Sequence, residues 1–302
     1  MTSHKPVDSR CSRRRILQGA TLAAAGVAAA PLLAAPQSAA NPLAAANGRV
    51  KHSVCAWCYS KCFDLDTLCR HAAAMGLKSV ELVEPADWPI LQKHGLICAM
   101  TPSHGFHRGF AHKDEHAVCI DILKQRIDDC AAAGFPTVIT FSGYRKGLPD
   151  DEGLRNAVIG LKQVIGYAEK KKINLCIEVL NSRVNVEMKG HPDYMCDKVE
   201  WAAELCRQIA SPRMTILFDI YHVQIMEGDI ISRIKQYHQY IGHYHTAGVP
   251  GRNEIDDTQE LSYPAILRAI VETGYQGYVA QEFIPNHDAV TSLRAAVKLC
   301  DV

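Results

Sequence analysis

From residue 50 onward, short apolar runs of β type alternate with amphipathic helical runs, and eight such units can be drawn. The spacing predicts strands over residues 51–56, 79–83, 97–101, 137–142, 174–180, 215–220, 241–246 and 278–283. Each run is apolar at consecutive positions, the pattern of a strand covered on both faces, so helices must lie against it. Between the runs, Leu123, Ile127, Cys130, Ala131 and Gly134 share one helical stripe, as do Leu154, Val158, Leu161, Ile165 and Ala168; such stripes pack on a sheet. Ser262 as N-cap, Pro264 in the first turn and Gly274 past the end delimit a further helix. Eight β/α units over roughly 250 residues fit a single (β/α)8 TIM barrel and leave no room for a second domain. An open doubly wound sheet would need a glycine-rich turn after its first strand. Here that turn reads Cys55-Ala56-Trp57-Cys58-Tyr59-Ser60, without glycine.

The first residues belong to a different kind of segment. Ser12-Arg13-Arg14-Arg15 precedes an alanine-rich apolar stretch from Ala20 to Ala35, followed by Ser38-Ala39-Ala40. Paired arginines, a short apolar run and a small-residue cleavage site describe a twin-arginine export signal. Residues 1–46 are therefore expected to form the signal peptide and a flexible leader, and residues 47–302 the catalytic barrel. About 16 weakly hydrophobic residues fall short of the ~20 that span a bilayer, so the mature form is expected to carry no membrane span. The export machinery is the expected partner and the periplasm or the extracellular space the expected location.

Charge and cysteine usage narrow the function. The formal charge of +1 includes a net +4 from residues 1–40 (Lys5, Arg10, Arg13, Arg14 and Arg15 against Asp8), which leaves −3 on the remainder. A mildly acidic body has no electrostatic grip on nucleic acid or anionic lipid, so a small molecule is the expected ligand. A homo-oligomer is compatible with the sequence. Of twelve cysteines, Cys55, Cys58, Cys62 and Cys69 cluster at spacings that a zinc or iron–sulfur site would use. Cys55 falls on an expected strand and Cys69 on the buried face of an expected helix, so the reading adopted is small core residues.

In a barrel of this kind the active site lies at the carboxyl ends of the strands, which makes a polar residue closing an apolar strand informative. Four strands end this way, as Leu175-Cys176-Ile177-Glu178, Ile216-Leu217-Phe218-Asp219, Gly242-His243-Tyr244-His245 and Val279-Ala280-Gln281-Glu282. Three carboxylates at one dry mouth repel each other and resist ionisation unless a cation joins them. Glu178, Asp219, His245 and Glu282 are the expected ligands of one divalent metal ion. This oxygen-rich set suits Mn²⁺ or Mg²⁺ and tolerates Co²⁺ or Zn²⁺. His243 shares a face with His245 and either orients it or fills the core. His222, in the turn after Asp219, is placed to touch a ligand oxygen. Arg252, in Val249-Pro250-Gly251-Arg252-Asn253-Glu254, can fork onto a substrate carboxylate or hydroxyl pair, or pair with Glu254 or Asp256 at the surface. Asn181 and Arg183 follow Glu178 towards the mouth. Trp57 offers an apolar wall, and Glu81 and His104 offer polar contacts to substrate.

The stretch Leu217-Phe218-Asp219-Ile220-Tyr221-His222-Val223-Gln224-Ile225-Met226-Glu227-Gly228-Asp229 resembles the hydroxypyruvate isomerase family, within the xylose isomerase-like superfamily of barrels. Residues His243 to Arg252, Glu260 to Pro264 and Gly274 to Glu282 continue the likeness over the last third of the chain. The resemblance implies a metal held by Glu178, Asp219, His245 and Glu282, with Glu178 and Glu282 flanking the substrate as acid and base. It implies isomerisation of a small hydroxy-carbonyl or sugar substrate through an enediolate. His245 departs from the glutamine that hydroxypyruvate isomerases tend to carry there, and Gly248 from their aspartate; ketose 3-epimerases of the superfamily use histidine as the ligand. A ketose 3-epimerase and an exported lyase on 3-keto-glycosides start with the same proton abstraction. A sugar-binding barrel without activity would not need two flanking glutamates, and a nuclease would need further metal ligands and a basic groove.

Overall fold

The structure is a computed structural model that describes residues 43–302. The export signal expected over residues 1–46 lies almost wholly outside the described residues.

Seven strands are formed: β1 (Lys51–Cys55), β2 (Ser79–Glu81), β3 (Thr137–Thr140), β4 (Asn174–Glu178), β5 (Met214–Asp219), β6 (Ile241–Thr246) and β7 (Tyr278–Gln281). They pair in parallel in the order β2-β1-β7-β6-β5-β4-β3. The segment expected as a strand over residues 97–101 is reduced to two bridges, one at each end. Ile97 pairs with Ser79 of β2 and Thr101 with Val138 of β3, so this segment joins the two edges of the curled sheet. Val80 N–H donates to the Ile97 carbonyl at 3.1 Å and Thr101 N–H to the Thr137 carbonyl at 3.0 Å. Between them the Ser79 hydroxyl captures the Ala99 N–H at 2.9 Å and the Cys98 thiol turns onto the Met100 carbonyl. The Met100 carbonyl still accepts from Leu82 N–H at 2.9 Å, but the Ala99 N–H is taken by a side chain in place of a ladder carbonyl, which leaves the eighth strand irregular.

The larger helices on the outside include Leu65–Met75, His116–Ala133, Val199–Ile209, Tyr263–Glu272 and Ala289–Cys300. Gly76 and Gly134 end the first two in the left-handed conformation, a stop for which glycine has no Cβ penalty. The stripe from Leu154 to Ala168 is split between two helices, Asp150–Leu161 and Ile165–Lys171. Ser262 does precede the helix Tyr263–Glu272, with Pro264 in its first turn, but its side chain makes no capping hydrogen bond.

The packed body starts before residue 47. Ala44 is buried, and Ala44 and Ala45 N–H both donate to the Met75 carbonyl. Ala46 and Asn47 N–H donate to Asp301 Oδ2 at 2.7 and 2.8 Å, tying the start of the body to its end.

Leu175, Cys176, Ile177, Ile216, Leu217 and Phe218 are fully buried. Burying each large apolar side chain is worth about 1.5–3 kcal/mol. Against that background a carboxylate at the end of such a strand needs a compensating partner.

Candidate active site

The carboxyl ends of four neighbouring strands supply the polar cluster. Glu178 closes β4, Asp219 closes β5, His245 is the penultimate residue of β6 and Glu282 follows β7 directly. Register aligns Asp219 with His245 and Glu178 with Leu217, so the shared twist of the sheet brings the ends together. One ligand atom from each of Glu178, Asp219, His245 and Glu282 lies within 4.8 Å of the others, and all four residues are buried.

The electrostatics of the cluster call for a cation. Burial, reinforced by the charge of Glu282, pushes the Glu178 carboxyl well above the usual range. Asp219 rises to about 7, because burial outweighs the nearby Arg252. Burial acts the same way on Glu282, but His245 and Arg252 overcome it and hold that carboxyl low. His245 Nδ1 lies 2.8 Å from Glu282 Oε2 and 3.7 Å from Glu178 Oε1. It still makes no hydrogen bond of acceptable geometry. A buried imidazole nitrogen aimed among three carboxylates without a directional bond is the arrangement expected of a metal ligand. Three hard oxygen donors and one imidazole fit a divalent ion such as Mn²⁺ or Mg²⁺.

Arg252 takes part in the cluster and is buried there. Its Nη2 reaches both Glu282 Oε2 and, at 3.4 Å, Asp219 Oδ2. Its Nη1 donates to the Met188 carbonyl at 2.6 Å. The guanidinium lies 5.1 Å from the centre of the Trp57 ring and 5.5 Å from that of Tyr221. Glu254, its alternative partner from sequence, is occupied elsewhere by Asn286 N–H, His287 N–H and the Ser292 hydroxyl. Trp57 is more than a wall, since its Nε1–H donates to Glu282 Oε1 at 3.0 Å.

His222 is fully buried, and burial together with Arg252 pushes its pKa well below the ordinary value, so it is neutral. Its Nδ1 accepts from Asn181 N–H at 3.1 Å and from Asn181 Nδ2 at 2.6 Å. The proton therefore sits on Nε2, which faces Asp219 Oδ2 at 3.5 Å. Asn181 completes its own set by donating to the Lys189 carbonyl and accepting from Val184 N–H. It sits behind His222 as a support and is absent from the cavity wall. Arg183 lies outside the cluster, donating to the Ile225 carbonyl.

Glu81 lies inside the barrel, 2.7 Å from His243 Nε2 and 3.4 Å from His245 Nε2. His104 stands apart from the cluster. Its Nε2 meets the Thr140 hydroxyl at 3.0 Å and its Nδ1 the carbonyls of Gly105 and Arg108, which pins the loop after residue 101.

Above the carboxylates is a cavity of about 170 Å³ whose walls include Trp57, Glu178, Arg252 and Glu282 together with Phe106, Met188 and His191. The last three come from loops and carry no strand-end signal in the sequence. Phe106 packs against the His191 ring at 4.3 Å between centres, and His191 in turn faces His222 at 5.8 Å. The eleven cysteines of the described residues are all free and only Cys62 is exposed, in keeping with core roles for the others.

A family profile described as Xylose isomerase-like TIM barrel matches residues 69–299. The hydroxypyruvate isomerase of Escherichia coli (strain K12) is 25% identical over 240 residues, covering 74% of this chain and 89% of that protein. The 2-oxo-tetronate isomerase of Pectobacterium atrosepticum is 26% identical over 232 residues, covering 71% and 84%. Among solved structures, an AP endonuclease, family 2, from Brucella melitensis superposes with a TM-score of 0.70 at 23% identity, over 81% of this chain and 97% of that one. At that identity the likeness speaks for the fold alone. With the profile spanning most of the barrel, the chain belongs to the xylose isomerase-like TIM barrel family.

Proposed function

We propose that this protein is a metal-dependent isomerase of a small hydroxy-carbonyl compound, with Glu178 and Glu282 moving the protons. The observation that carries the reading is the joint placement of the two glutamates: both line the cavity and both belong to the four-residue cluster. A divalent ion held by Glu178, Asp219, His245 and Glu282 would polarise a carbonyl and its neighbouring hydroxyl as a Lewis acid.

The chain's own groups are arranged for the remaining work. Among the described residues no hydrogen bond reaches the Glu178 carboxyl, whose nearest basic group is His245 Nδ1 at 3.7 Å, and it lines the cavity where a substrate carbon would lie. Glu282 is fixed by Trp57 and Arg252. One glutamate, ionised, takes the C–H proton of the hydroxyl-bearing carbon, and the other, protonated, delivers a proton to the former carbonyl carbon, while the hydroxyl proton passes to the former carbonyl oxygen, so that carbonyl and hydroxyl exchange places. His222 stands behind the cavity with its neutral Nε2 3.5 Å from Asp219 Oδ2, where it steadies that carboxyl, and Phe106 and Met188 on the cavity wall exclude water. A cavity of about 170 Å³ is smaller than the ~300 Å³ at the low end of ordinary ligand pockets, which favours a substrate of few carbons. The isomerase relatives with which the chain shares about three quarters of its length support the same class.

Epimerisation of a ketose is the second reading, favoured by histidine rather than glutamine at position 245. Export by the twin-arginine route belongs to the proposal as well, resting on Arg13 and Arg14 before the apolar run; cell fractionation of the wild type and of Arg13→Lys/Arg14→Lys tests it.

The activity test incubates Mn²⁺-loaded protein with hydroxypyruvate, a 2-oxo-tetronate, free ketoses and a 3-keto-glycoside. Carbonyl migration in one of the first two, lost in Glu178→Gln and Glu282→Gln, is the expected result. Inversion of a ketose carbon would establish the epimerase instead, and release of an aglycone the lyase.

A further inference from the structure

We infer that Glu81 is a positioning residue for the metal site: it holds the Nε2–H of His245 from inside the barrel so that Nδ1 presents its lone pair to the carboxylate cluster. The inference rests on the metal-site reading given above.

A neutral imidazole has one N–H and one lone pair, and a ligand nitrogen must carry the lone pair. His245 Nδ1 faces Glu282 and Glu178; with an ion held there Nδ1 would be the ligand atom and would give up its proton, leaving the remaining one on Nε2. The groups that meet Nε2 are Glu81 Oε2 at 3.4 Å and the Cys55 thiol at 3.7 Å. Of these the carboxylate is the strong acceptor, and a carboxylate behind a ligating histidine both fixes the ring and increases the donor strength of the other nitrogen.

Glu81 faces two imidazoles of β6, His243 at 2.7 Å and His245 at 3.4 Å. Glu81 ends β2, separated from β6 by β1 and β7 in the sheet order, and reaches across the barrel interior to β6. It is fully buried, with Oε1 unpartnered. A valine or leucine would fill the interior of a barrel strand without the desolvation cost of a carboxylate. His243, two residues before His245 on the same face of β6, stands 2.7 Å from the same Oε2 but makes no hydrogen bond of acceptable geometry with it, whereas His245 Nε2 does. The register that places Glu81 beside Cys55 on β1 closes the other side.

The test is calorimetric titration of metal-free protein with Co²⁺, read together with the visible spectrum of bound Co²⁺. The wild type, Glu81→Gln and Glu81→Leu are compared, with folding checked by circular dichroism. Glu81→Gln keeps the shape and an acceptor oxygen, so it covers the case in which the leucine variant does not fold. Wild type is expected to bind one ion per chain. The variants are expected to bind it about 10–100-fold more weakly, the leucine variant more so, with an altered Co²⁺ spectrum. A folded variant whose affinity stays within twofold and whose spectrum is unchanged overturns the inference while leaving the metal site intact. Two ions bound by wild type, one lost in the variants, would also overturn it, by making Cys55, Glu81 and His245 an inner metal site. A wild type that binds no ion sinks the metal-site reading itself, and this inference with it.

Discussion

Replacing Arg252 with methionine removes the one guanidinium that stands among three buried acids. In the metal-free protein that cation meets Asp219 and Glu282 directly and also donates to the Met188 carbonyl. Breaking a buried charged pair by deleting one partner costs about 3–5 kcal/mol, because the charges left behind stay buried. Loss of the contacts with the Trp57 and Tyr221 rings adds about 1–2 kcal/mol. Protonation of the orphaned carboxylates returns part of this, since burial already favours the neutral form of Asp219 and Glu178. A net loss of about 3 kcal/mol is expected. For a domain of this size it corresponds to roughly 6–12 °C in Tm. Differential scanning calorimetry in EDTA gives the comparison, with Arg252→Lys as the control that keeps the charge but not the fork. The lysine variant should fall between wild type and methionine. A methionine variant within 2 °C of wild type would refute the reasoning, for it would mean that Arg252 does not compensate the cluster.

Further outcomes follow from the same contacts. Glu178→Gln and Glu282→Gln should keep wild-type circular dichroism while kcat falls by at least ~10²-fold, the usual scale for loss of a positioned acid or base, in steady-state assays. Asn181→Leu removes the side-chain donor to His222 Nδ1 and to the Lys189 carbonyl and the acceptor of Val184 N–H, while the backbone N–H of residue 181 still donates to His222 Nδ1. Denaturant unfolding should show a loss of about 1–3 kcal/mol. Gly109→Ala would put a Cβ 2.3 Å from the Ser142 backbone carbon; the loop carrying Phe106 must move, with an expected loss of about 1–3 kcal/mol and a raised KM.

The four residues of the carboxylate cluster were legible because each interrupts an apolar strand at its carboxyl end, where burial makes a charge conspicuous. Periodicity located seven strands to within two residues, but it carried no warning that the Ser79 hydroxyl would take the Ala99 N–H from the ladder. The break after Leu161 was equally invisible, since the apolar stripe continues across it. Glu81 was visible only as a polar residue on a short strand, and its role depends on a histidine 164 positions away. Asn181 and His104 look like site residues in one dimension because they follow strand ends. In three dimensions their hydrogen-bonding groups are taken by His222 and by loop carbonyls. Phe106, Met188 and His191 could not be found at all, because loop conformation rather than periodicity brings them over the cavity.

In the proposed chemistry a metal and proton transfer act together, and one measurement reaches both. Protein stripped with a chelator and then reloaded with Mn²⁺ is incubated with substrate in deuterium oxide, and incorporation at the carbon beside the carbonyl is followed by NMR. Exchange that is absent after stripping, returns with Mn²⁺ and is lost in Glu178→Gln and Glu282→Gln is the result expected here. Equal exchange with and without metal would contradict metal-assisted proton transfer at this site.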